Sequence, residues 1–321
     1  MGKLYLTVKV IGDFVDNKGV AIKLRLIDMK IMLMKKIITL VTLSLFISQA
    51  NAGIRQYRAD IENSTWQLTN NSRLQCTLSH QIPRYGEAKF YSSANRQMNM
   101  EFELEMMRLP DSYALAEVRS EAPNWRPGVA GRILADMKLQ KQFSPSLPKK
   151  IAWNMLNELD QGMSPTFYYN DWYSENDKIT VGLSTARFQQ AYQAFVSCVG
   201  NLLDFNFDDI SYTVLNYQFG SDKLTKASQK RMNMIVEYLS LDPKLELVLI
   251  DGYSDSYGGR NTNLKMSERR ASKVRDLIVS SGIDASRIEA NGYGEKRHVA
   301  SNETVIGRSK NRRVVIRMEQ P

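Results

Sequence analysis

The chain has 321 residues, of which 43 are Lys or Arg and 34 are Asp or Glu, so its formal net charge is +9. This length predicts two domains, and the 43% of hydrophobic residues is typical of globular proteins. The chain has only two histidines, His80 and His298, and it lacks the H-E-x-x-H and G-x-S-x-G motifs. A zinc or serine hydrolase is therefore not expected.

A secretory signal peptide is predicted over residues 34–52. Lys35 and Lys36 form its charged start, a short apolar run follows, and Ala50-Asn51-Ala52 is a cleavage motif. The apolar run is too short to cross a bilayer as a helix, and a buried core helix is the alternative. Residues 1–33 precede this signal. We interpret them either as an upstream extension of the reading frame or as a genuine N-terminal extension.

Alternating hydrophobicity predicts a β-rich domain over residues 53–209. The clearest case is residues 98–106, where apolar residues alternate with Asn and Glu as on a half-buried strand. Frequent Pro and Gly residues mark turns between such segments. We expect a sandwich or barrel-like β domain with helical additions. Its further predicted strands are 75–80, 89–92 and 202–207, and its predicted helices are 149–160 and 186–199.

The two cysteines of the chain, Cys76 and Cys198, both fall in this β-rich region. An even pair in an exported protein favours one disulfide, and two separate buried thiols are the alternative. No metal site and no cofactor are expected. The acidic residues 204–208 resemble the start of a calcium loop, but Asp209 stands at its sixth position instead of Gly and Leu215 at its twelfth instead of Glu.

Residues 210–321 alternate between strand-like and helix-like periods. Such an alternation predicts an α/β sandwich with a mixed sheet, so the whole chain is assigned to the α+β class. Val314, Ile316 and Met318 alternate along the last predicted strand. The other predicted elements are strands 212–219, 245–250 and 287–291 and helices 225–240 and 267–281.

Three polar motifs follow one another in this second domain. They read Ser254-Asp255-x-x-Gly258, Asn263-x-x-Met266-Ser267-x-x-Arg270-Ala271 and Arg308-x-x-Asn311-Arg312-Arg313-Val314. In this order and at this spacing they resemble the OmpA C-terminal-like domain, a peptidoglycan-binding module of Gram-negative envelopes. The resemblance implies that Asp255 and Arg270 grip diaminopimelate of the stem peptide. The predicted binding residues are Ser254, Asp255, Asn263, Ser267, Arg270, Arg308, Asn311 and Arg312.

The chemistry of two of these residues fits that ligand. Ser267 is predicted as the N-cap of its helix, which would put Arg270 in the first turn, beside the loop that carries Asp255. A guanidinium can bind the side-arm carboxylate of diaminopimelate with two hydrogen bonds, and a carboxylate can accept its ammonium. The alternative is an internal ion pair between Asp255 and Arg270.

The first domain carries a second resemblance. The sequence blocks at residues 76–91, 124–128 and 207–209 are similar to the N-terminal domain of the MotY family. Members of this family are periplasmic accessory proteins of the sodium-driven polar flagellar motor. The resemblance implies a T-ring component at the motor base. Its N-terminal domain, residues 53–209, would contact the basal body and the partner protein MotX. Its C-terminal domain, residues 210–321, would bind peptidoglycan, and together they would help to hold the stator units.

Three other interpretations share part of this pattern. The Arg-rich residues 308–317 would suit nucleic acid, but export removes that ligand, so no nucleic-acid partner is expected. A wall-cleaving enzyme would need catalytic motifs that the sequence lacks, so the protein is not expected to be an enzyme. A cell-wall tether of another envelope machine shares the C-terminal chemistry, and only the N-terminal resemblance argues against it.

Overall fold

The computed structural model describes residues 32, 34, 53–123, 126, 128–174, 177–242, 244 and 246–320. The predicted signal peptide and the segment before it lie outside these residues, apart from Met32 and Met34. By its internal contacts the chain divides into two compact units, Met1–Ala52 and Gly53–Pro321, and the second unit is described below. Within the described ranges, no helix has both the length and the apolar character that a membrane span requires.

The N-terminal part of this unit is a β-sandwich. One sheet has the strand order β1-β10-β9-β6-β7 and the other β2-β3-β4-β5-β8. In chain order the elements are β1 (Ile54–Arg58), β2 (Trp66–Asn71), β3 (Gln75–Ile82), β4 (Gly86–Ser93), β5 (Glu101–Met106), β6 (Ala114–Glu121), β7 (Arg132–Leu139), β8 (Ser146–Leu147), α1 (Lys149–Asp160), β9 (Ser164–Asn170), β10 (Lys178–Gly182) and α2 (Phe188–Gly200).

The two sheets share one hydrophobic core. Phe102 on β5 and Phe167 on β9 stack with their ring centroids 5.5 Å apart. On β5, Phe102, Leu104 and Met106 are buried while the glutamates between them point away from the core, because successive side chains of a strand point to opposite faces. The predicted β-rich domain is thereby confirmed, and so is the alternation from Met100 to Met106. The predicted start of the strand at residue 98 is wrong, because β5 begins at Glu101 and Met98 is 58% exposed.

Both predicted helices of the sandwich are present. Helix α1 has the predicted bounds. Helix α2 begins at Phe188, two residues later than predicted, because Arg187 adopts a left-handed conformation with φ 61 and so cannot belong to the helix.

The predicted strand 202–207 is wrong. The N–H of Leu203 donates to the carbonyl of Arg73, and the carbonyl of Leu203 accepts from the N–H of Asn95. The backbone of this segment therefore bonds to two loops rather than to a strand. Its apolar alternation has another cause: Leu203 and Phe205 are 4% and 3% exposed because they pack into the core of the C-terminal part.

The predicted disulfide is confirmed. Cys76 on β3 and Cys198 on α2 are bonded, with their Cα atoms 6.0 Å apart. Both residues are buried, so the bridge fixes α2 against the sheet that contains β3.

The C-terminal part is a four-stranded sheet with its helices. The strand order is β11-β14-β12-β13, in which β12 and β13 are parallel and β14 is antiparallel to both of its neighbours. The predicted mixed sheet is confirmed. In chain order the elements are α3 (Asp208–Ser211), β11 (Tyr212–Asn216), α4 (Lys226–Leu241), β12 (Leu247–Gly252), α5 (Arg260–Ser280), a 3-10 turn (Ala285–Arg287), β13 (Ile288–Gly292), α6 (Val305–Asn311) and β14 (Arg313–Glu319).

The predicted start of the helix of the second motif at Ser267 is wrong. Helix α5 begins at Arg260, with Gly259 in an extended conformation before it. Ser267 lies inside the helix, and its hydroxyl donates to the carbonyl of Leu264 at 2.7 Å, as interior helical serines do. Arg270 is therefore about three turns from the helix start, and the positive end of the helix dipole does not reach it.

Candidate functional site

Three polar side chains meet where β12 ends. Asp255 lies in the loop that follows β12, Arg270 projects from α5, and Arg312 directly precedes β14. Close packing of α5 on β12 holds these elements together. A Cβ atom at Gly252 would lie 2.2 Å from the carbonyl oxygen of Ser267, so only glycine fits at the end of this strand.

The carboxylate of Asp255 is bound on both oxygens. Its Oδ2 accepts a hydrogen bond from Nη1 of Arg312 at 2.7 Å, and its Oδ1 accepts from the N–H of Tyr257 at 3.1 Å. Asp255 and Arg312 are both buried. The ion-pair partner of Asp255 is thus Arg312, not Arg270. A buried pair of this kind is costly to break, because each charge has already lost its water.

Arg270 is held by carbonyl groups and by an aromatic ring. Its Nη2 donates to the carbonyl of Ser221 at 2.6 Å and its Nη1 to the carbonyl of Tyr253 at 3.4 Å. The guanidinium carbon lies 4.7 Å from the ring centre of Tyr217. Only 2% of Arg270 is exposed. Burial lowers the pKa of Arg270, and the nearby charge of Arg312 lowers it further.

Three buried polar atoms at this site have no hydrogen-bond partner among the described residues. They are Nε of Arg270, Nε of Arg312 and Oγ of Ser254. Buried polar groups are normally paired, since an unpaired one costs about 1–3 kcal/mol. The site therefore has more hydrogen-bond donors than acceptors. Two guanidinium N–H groups and one hydroxyl are unpaired, and Asp255 is the one carboxylate beside them in the part of the chain that the structure describes. A ligand with a carboxylate group would supply them.

The other predicted binding residues make contacts within the protein. The hydroxyl of Ser267 accepts from the N–H of Gly294, and Asn263 donates to Glu295. Arg308 donates to the carbonyls of Asn302 and Glu303. These contacts hold the loops around the site. For Ser267, Asn263 and Arg308, contact with a ligand stays a prediction.

Asn311 also supports a loop. It is fully buried, its Oδ1 accepts from the N–H groups of Val299 and Ala300, and its Nδ2 donates to Ala300 and Asn302. Asn302 in turn accepts from the N–H of Ser256, next to Asp255. Asn311 is therefore connected through Asn302 to the loop that carries Asp255, and its contact with a ligand stays a prediction.

Two family comparisons match this chain. The family described as MotY N-terminal domain matches residues 57–204, and the OmpA family matches residues 216–312. The sodium-type flagellar protein MotY of Vibrio parahaemolyticus is 41% identical over 262 residues, which are 82% of this chain and 89% of that protein. The chain belongs to the MotY family.

Other relatives match over shorter stretches. The peptidoglycan-binding protein ArfA of Mycobacterium bovis is 37% identical over 100 residues, and the match covers 30% of this MotY-family chain and 30% of ArfA. Among solved structures, the peptidoglycan-associated lipoprotein of Burkholderia pseudomallei is 24% identical with a TM-score of 0.30. That match covers 33% of this chain and 89% of the lipoprotein.

One side of the site in this MotY-family protein is formed by residues that the three sequence motifs do not include. Phe219 and Ser221 lie in the turn between β11 and α4, and neither belongs to the three polar motifs. The ring of Phe219 is 65% exposed and lies 5.3 Å from the guanidinium of Arg312 and 5.9 Å from the ring of Tyr257. The available sequence signal was an aromatic residue beside Gly220, at the end of the predicted strand 212–219, because glycine marks turns.

Proposed function

We propose that this MotY-family protein is a non-enzymatic component of a sodium-driven flagellar motor that binds the peptidoglycan wall. The observation that carries the proposal is the 41% identity to a sodium-type flagellar protein along 82% of the chain. The OmpA family match over residues 216–312 supports the wall-binding part, as does the relative whose name describes it as peptidoglycan-binding.

The proposed ligand is diaminopimelate of the stem peptide. Its side arm carries a carboxylate and an ammonium, which is the combination that Arg270 and Asp255 can recognise. The carboxylate would accept from the unpartnered N–H donors of Arg270 and Arg312, and charge-assisted bonds of this kind are stronger than neutral ones. The ammonium would donate to Asp255, whose negative charge is at present shared with Arg312.

Ligand entry requires the turn before α4 to move. The carbonyl of Ser221 bonds to Arg270, and Phe219 lies against Arg312. A carboxylate that reaches Arg270 would replace the Ser221 carbonyl as its acceptor. Because the exchange trades one hydrogen bond for another, binding of a single stem peptide should be modest, and firm attachment requires several copies on one wall.

The N-terminal part would provide the second attachment in this proposal. Residues 53–209 would contact the basal body and MotX, and the whole molecule would help to hold the stator units at the cell wall. The proposed location is the periplasm, after removal of a signal peptide at residues 34–52. A buried disulfide between Cys76 and Cys198 supports this location, because disulfides persist in oxidising compartments.

The wall-binding proposal is tested by co-sedimentation of the purified protein with insoluble peptidoglycan. We expect Arg270→Ala to weaken binding about tenfold or more, since a charge-assisted hydrogen bond contributes about 1.5–3 kcal/mol. Arg270→Lys should also weaken peptidoglycan binding, because an ammonium cannot form the two parallel hydrogen bonds that a planar guanidinium makes to a carboxylate. Arg269→Ala is the matched control, since Arg269 is the exposed neighbour on the same helix.

The ligand is tested with two kinds of wall. Peptidoglycan with lysine in place of diaminopimelate lacks the side-arm carboxylate, and we expect it to sediment little of the protein. Free diaminopimelate should compete with the diaminopimelate-containing wall. Equal binding to both walls, or full binding by Arg270→Ala, would contradict the proposed site. These tests use the protein with both its N-terminal and C-terminal parts. A fragment that starts at residue 210 would lack Leu203 and Phe205, which belong to the C-terminal core.

A further inference from the structure

A cavity of about 680 Å³ opens where β5 and β9 of the sandwich end. Strands β1, β9 and β10 of one sheet form one wall. The turn between β3 and β4 and the residues after β5, which belong to the other sheet, form the opposite wall. Binding sites for small ligands and peptide side chains typically have volumes of about 300–1,000 Å³. The cavity is separate from the C-terminal site and takes no part in the proposed wall binding.

Five aromatic rings follow one another along this cavity. The rings of Tyr57 and Tyr85 are 5.2 Å apart, the hydroxyls of Tyr85 and Tyr169 are 3.0 Å apart, and the ring of Tyr169 stacks on Trp172 at 5.5 Å. Tyr173 extends the series at the rim, where it is 68% exposed. The indole Nε1 of Trp172 is enclosed and has no acceptor among the described residues.

Positive charge surrounds these rings. The lining contains three arginines, at positions 55, 84 and 108, and one acidic residue, Asp171. Arg55 is paired with Asp171 at 3.0 Å and with Asp177 at 2.8 Å. Arg84 and Arg108 are exposed and form no ion pair with any residue that the structure describes. Two guanidinium groups are thus available for carboxylates of a ligand.

The edge of a sheet borders the same cavity. Strand β1 is the outermost strand of its sheet and, among the described residues, pairs only with β10. Its consecutive residues 55–57 all line the cavity. An edge strand offers unpaired backbone N–H and C=O groups, which an extended peptide can use.

We propose that this cavity binds an extended, acidic peptide segment of a partner protein. One aromatic or aliphatic side chain of the peptide would enter between the rings, and flanking carboxylates would pair with Arg84 and Arg108. Tyr, Trp and Arg are the residues that contribute most to protein–protein binding, and all three are present here. A neutral sugar could stack on the rings but would leave the two arginines unpaired, so a peptide is the better match.

The probe is an array of nine-residue peptides with a central Phe, Tyr, Trp or Leu flanked by Asp and Glu. Matched peptides carry Asn and Gln instead, and a chitin hexasaccharide serves as the sugar probe. Fluorescence anisotropy with the purified protein measures each Kd. We expect the acidic peptides to bind at least about tenfold more tightly than their amide counterparts, and the sugar to bind more weakly than the acidic peptides.

The decisive variant carries Arg84→Asn and Arg108→Gln. Arg84 has a φ of 63, a conformation that Asn tolerates, and both residues are exposed, so this variant should fold normally. We expect it to lose the preference for acidic peptides. The matched control, Lys138→Gln with Lys150→Gln, removes the same charge from exposed positions outside the cavity and should bind as the unmodified protein does.

Three outcomes would overturn the proposal: no preference for acidic peptides, tighter binding of the sugar, or an equal loss of binding in the two double variants. Peptidoglycan co-sedimentation of the Arg84→Asn, Arg108→Gln variant should be unchanged. Conversely, Arg270→Ala should bind the acidic peptides normally. Failure of the peptide proposal and failure of the wall-binding proposal are therefore observed separately.

Discussion

The N-terminal sandwich and the C-terminal sheet are stabilised by different interactions. The sandwich has an aromatic and methionine-rich core, and a disulfide ties its helix α2 to β3. The described C-terminal part has no cysteine, and it buries the charged side chains of Asp255, Arg270, Arg312 and Arg313 beside its apolar core. The arginines of the N-terminal cavity lie at an exposed rim instead.

This difference bears on the two proposals, the wall-binding site and the peptide site. An arginine at an exposed rim stays hydrated in the free protein, so it changes the free energy of folding little. Such a residue contributes mainly to the specificity and the rate of association with a partner. A buried arginine loses its hydration when the protein folds, so it needs hydrogen-bond acceptors of the protein around it. Substitution of the buried charges in the C-terminal site is therefore expected to affect folding as well as the proposed wall binding.

The largest effect is expected when the disulfide is removed. Replacement of Cys76 and Cys198 by Ala releases a connection between residues 122 positions apart. The chain-entropy model gives a loss of roughly 5 kcal/mol in the free energy of unfolding as an upper value. Denaturant unfolding of the double variant measures this loss, and peptidoglycan co-sedimentation under mild conditions should persist because the C-terminal sheet contains no disulfide.

Reduction of the unmodified protein is the control for this variant. Dithiothreitol should lower its melting temperature towards that of the double variant and leave the double variant unchanged. A melting temperature that does not respond to either treatment would mean that the sandwich does not depend on the bridge.

The next largest effect concerns the buried ion pair. Asp255→Ala leaves Arg312 buried without its partner, and such a change costs about 3–5 kcal/mol of stability. Arg270 is bound by carbonyl groups and not by Asp255. The coupling energy between Asp255 and Arg312 should therefore be larger than that between Asp255 and Arg270. A double-mutant cycle in urea with Asp255→Asn and Arg312→Met should give a coupling energy above about 1 kcal/mol.

The cycle with Asp255→Asn and Arg270→Met is the comparison. We expect its coupling energy to be smaller than that of the Arg312 cycle. An equal or larger value would show that Asp255 and Arg270 form the internal pair that the sequence left open. Wall binding of the same variants separates folding from recognition, because loss of binding in a stably folded variant locates the contact.

The sequence predicted the members of this site better than their connections. Asp255 and Arg270 were identified because the three polar motifs resemble the OmpA C-terminal-like domain, while their spacing alone left an internal ion pair as the alternative. The partner of Asp255 depends on strand register: β14 runs antiparallel to β12 with Val314 opposite Gly252, which brings residue 312 beside the loop after β12. Register between strands that are far apart in the chain is a tertiary property, and no local pattern specifies it.

The N-terminal cavity could not be predicted for a related reason. Its residues come from strands β1, β5, β9 and β10 and from the segments after β3, β5 and β9. Each strand or segment contributes only one to three side chains. Several of these strands were not predicted at all, because their burial patterns are short or irregular. Strand β1, for example, has no fully buried residue among its five. The start of α5 was missed because its first turns are polar, although Gly258-Gly259 marked the position.

A smaller, pH-dependent effect is expected from His80. Its Nδ1 donates to the carbonyl of Thr65 at 2.9 Å, its Nε2 accepts from the N–H of Ser184 at 3.3 Å, and its ring stacks on Trp66. Burial lowers the pKa of His80 from 6.5 to about 4. Between these two values the unfolded chain binds more protons than the folded chain, so stability decreases as the pH falls from 6.5 to about 4, by roughly 3 kcal/mol at most.

Urea unfolding at pH 7.5, 5.5 and 4.5 measures this dependence. His80→Gln should flatten it, because glutamine does not titrate, even though the variant is less stable at every pH. His298→Gln is the control: His298 lies on the C-terminal side and is exposed, and its replacement should leave the slope unchanged. Identical slopes for all three proteins would assign the acid sensitivity to the carboxylates alone.

The smallest effect is expected at the junction of the two parts. Two ion pairs cross it, Arg73–Glu237 at 2.6 Å and Arg96–Asp209 at 2.5 Å, where Asp209 is counted with α3 of the C-terminal part. Both arginines are more than half exposed. Exposed ion pairs contribute about 0–1 kcal/mol. The junction should instead depend on Leu203 and Phe205, the buried apolar residues that the N-terminal chain contributes to the C-terminal core.

The double variant Arg73→Ala, Arg96→Ala should therefore lose less than about 1–2 kcal/mol and keep the unfolding behaviour of the unmodified protein. Phe205→Ala, which removes a buried ring, is the comparison with an expected loss of about 3–5 kcal/mol. Calorimetry distinguishes the two. If the charge variant separates one unfolding transition into two while Phe205→Ala does not, then exposed charges and not buried apolar contacts couple the parts. High salt should in that case weaken the coupling between the two parts.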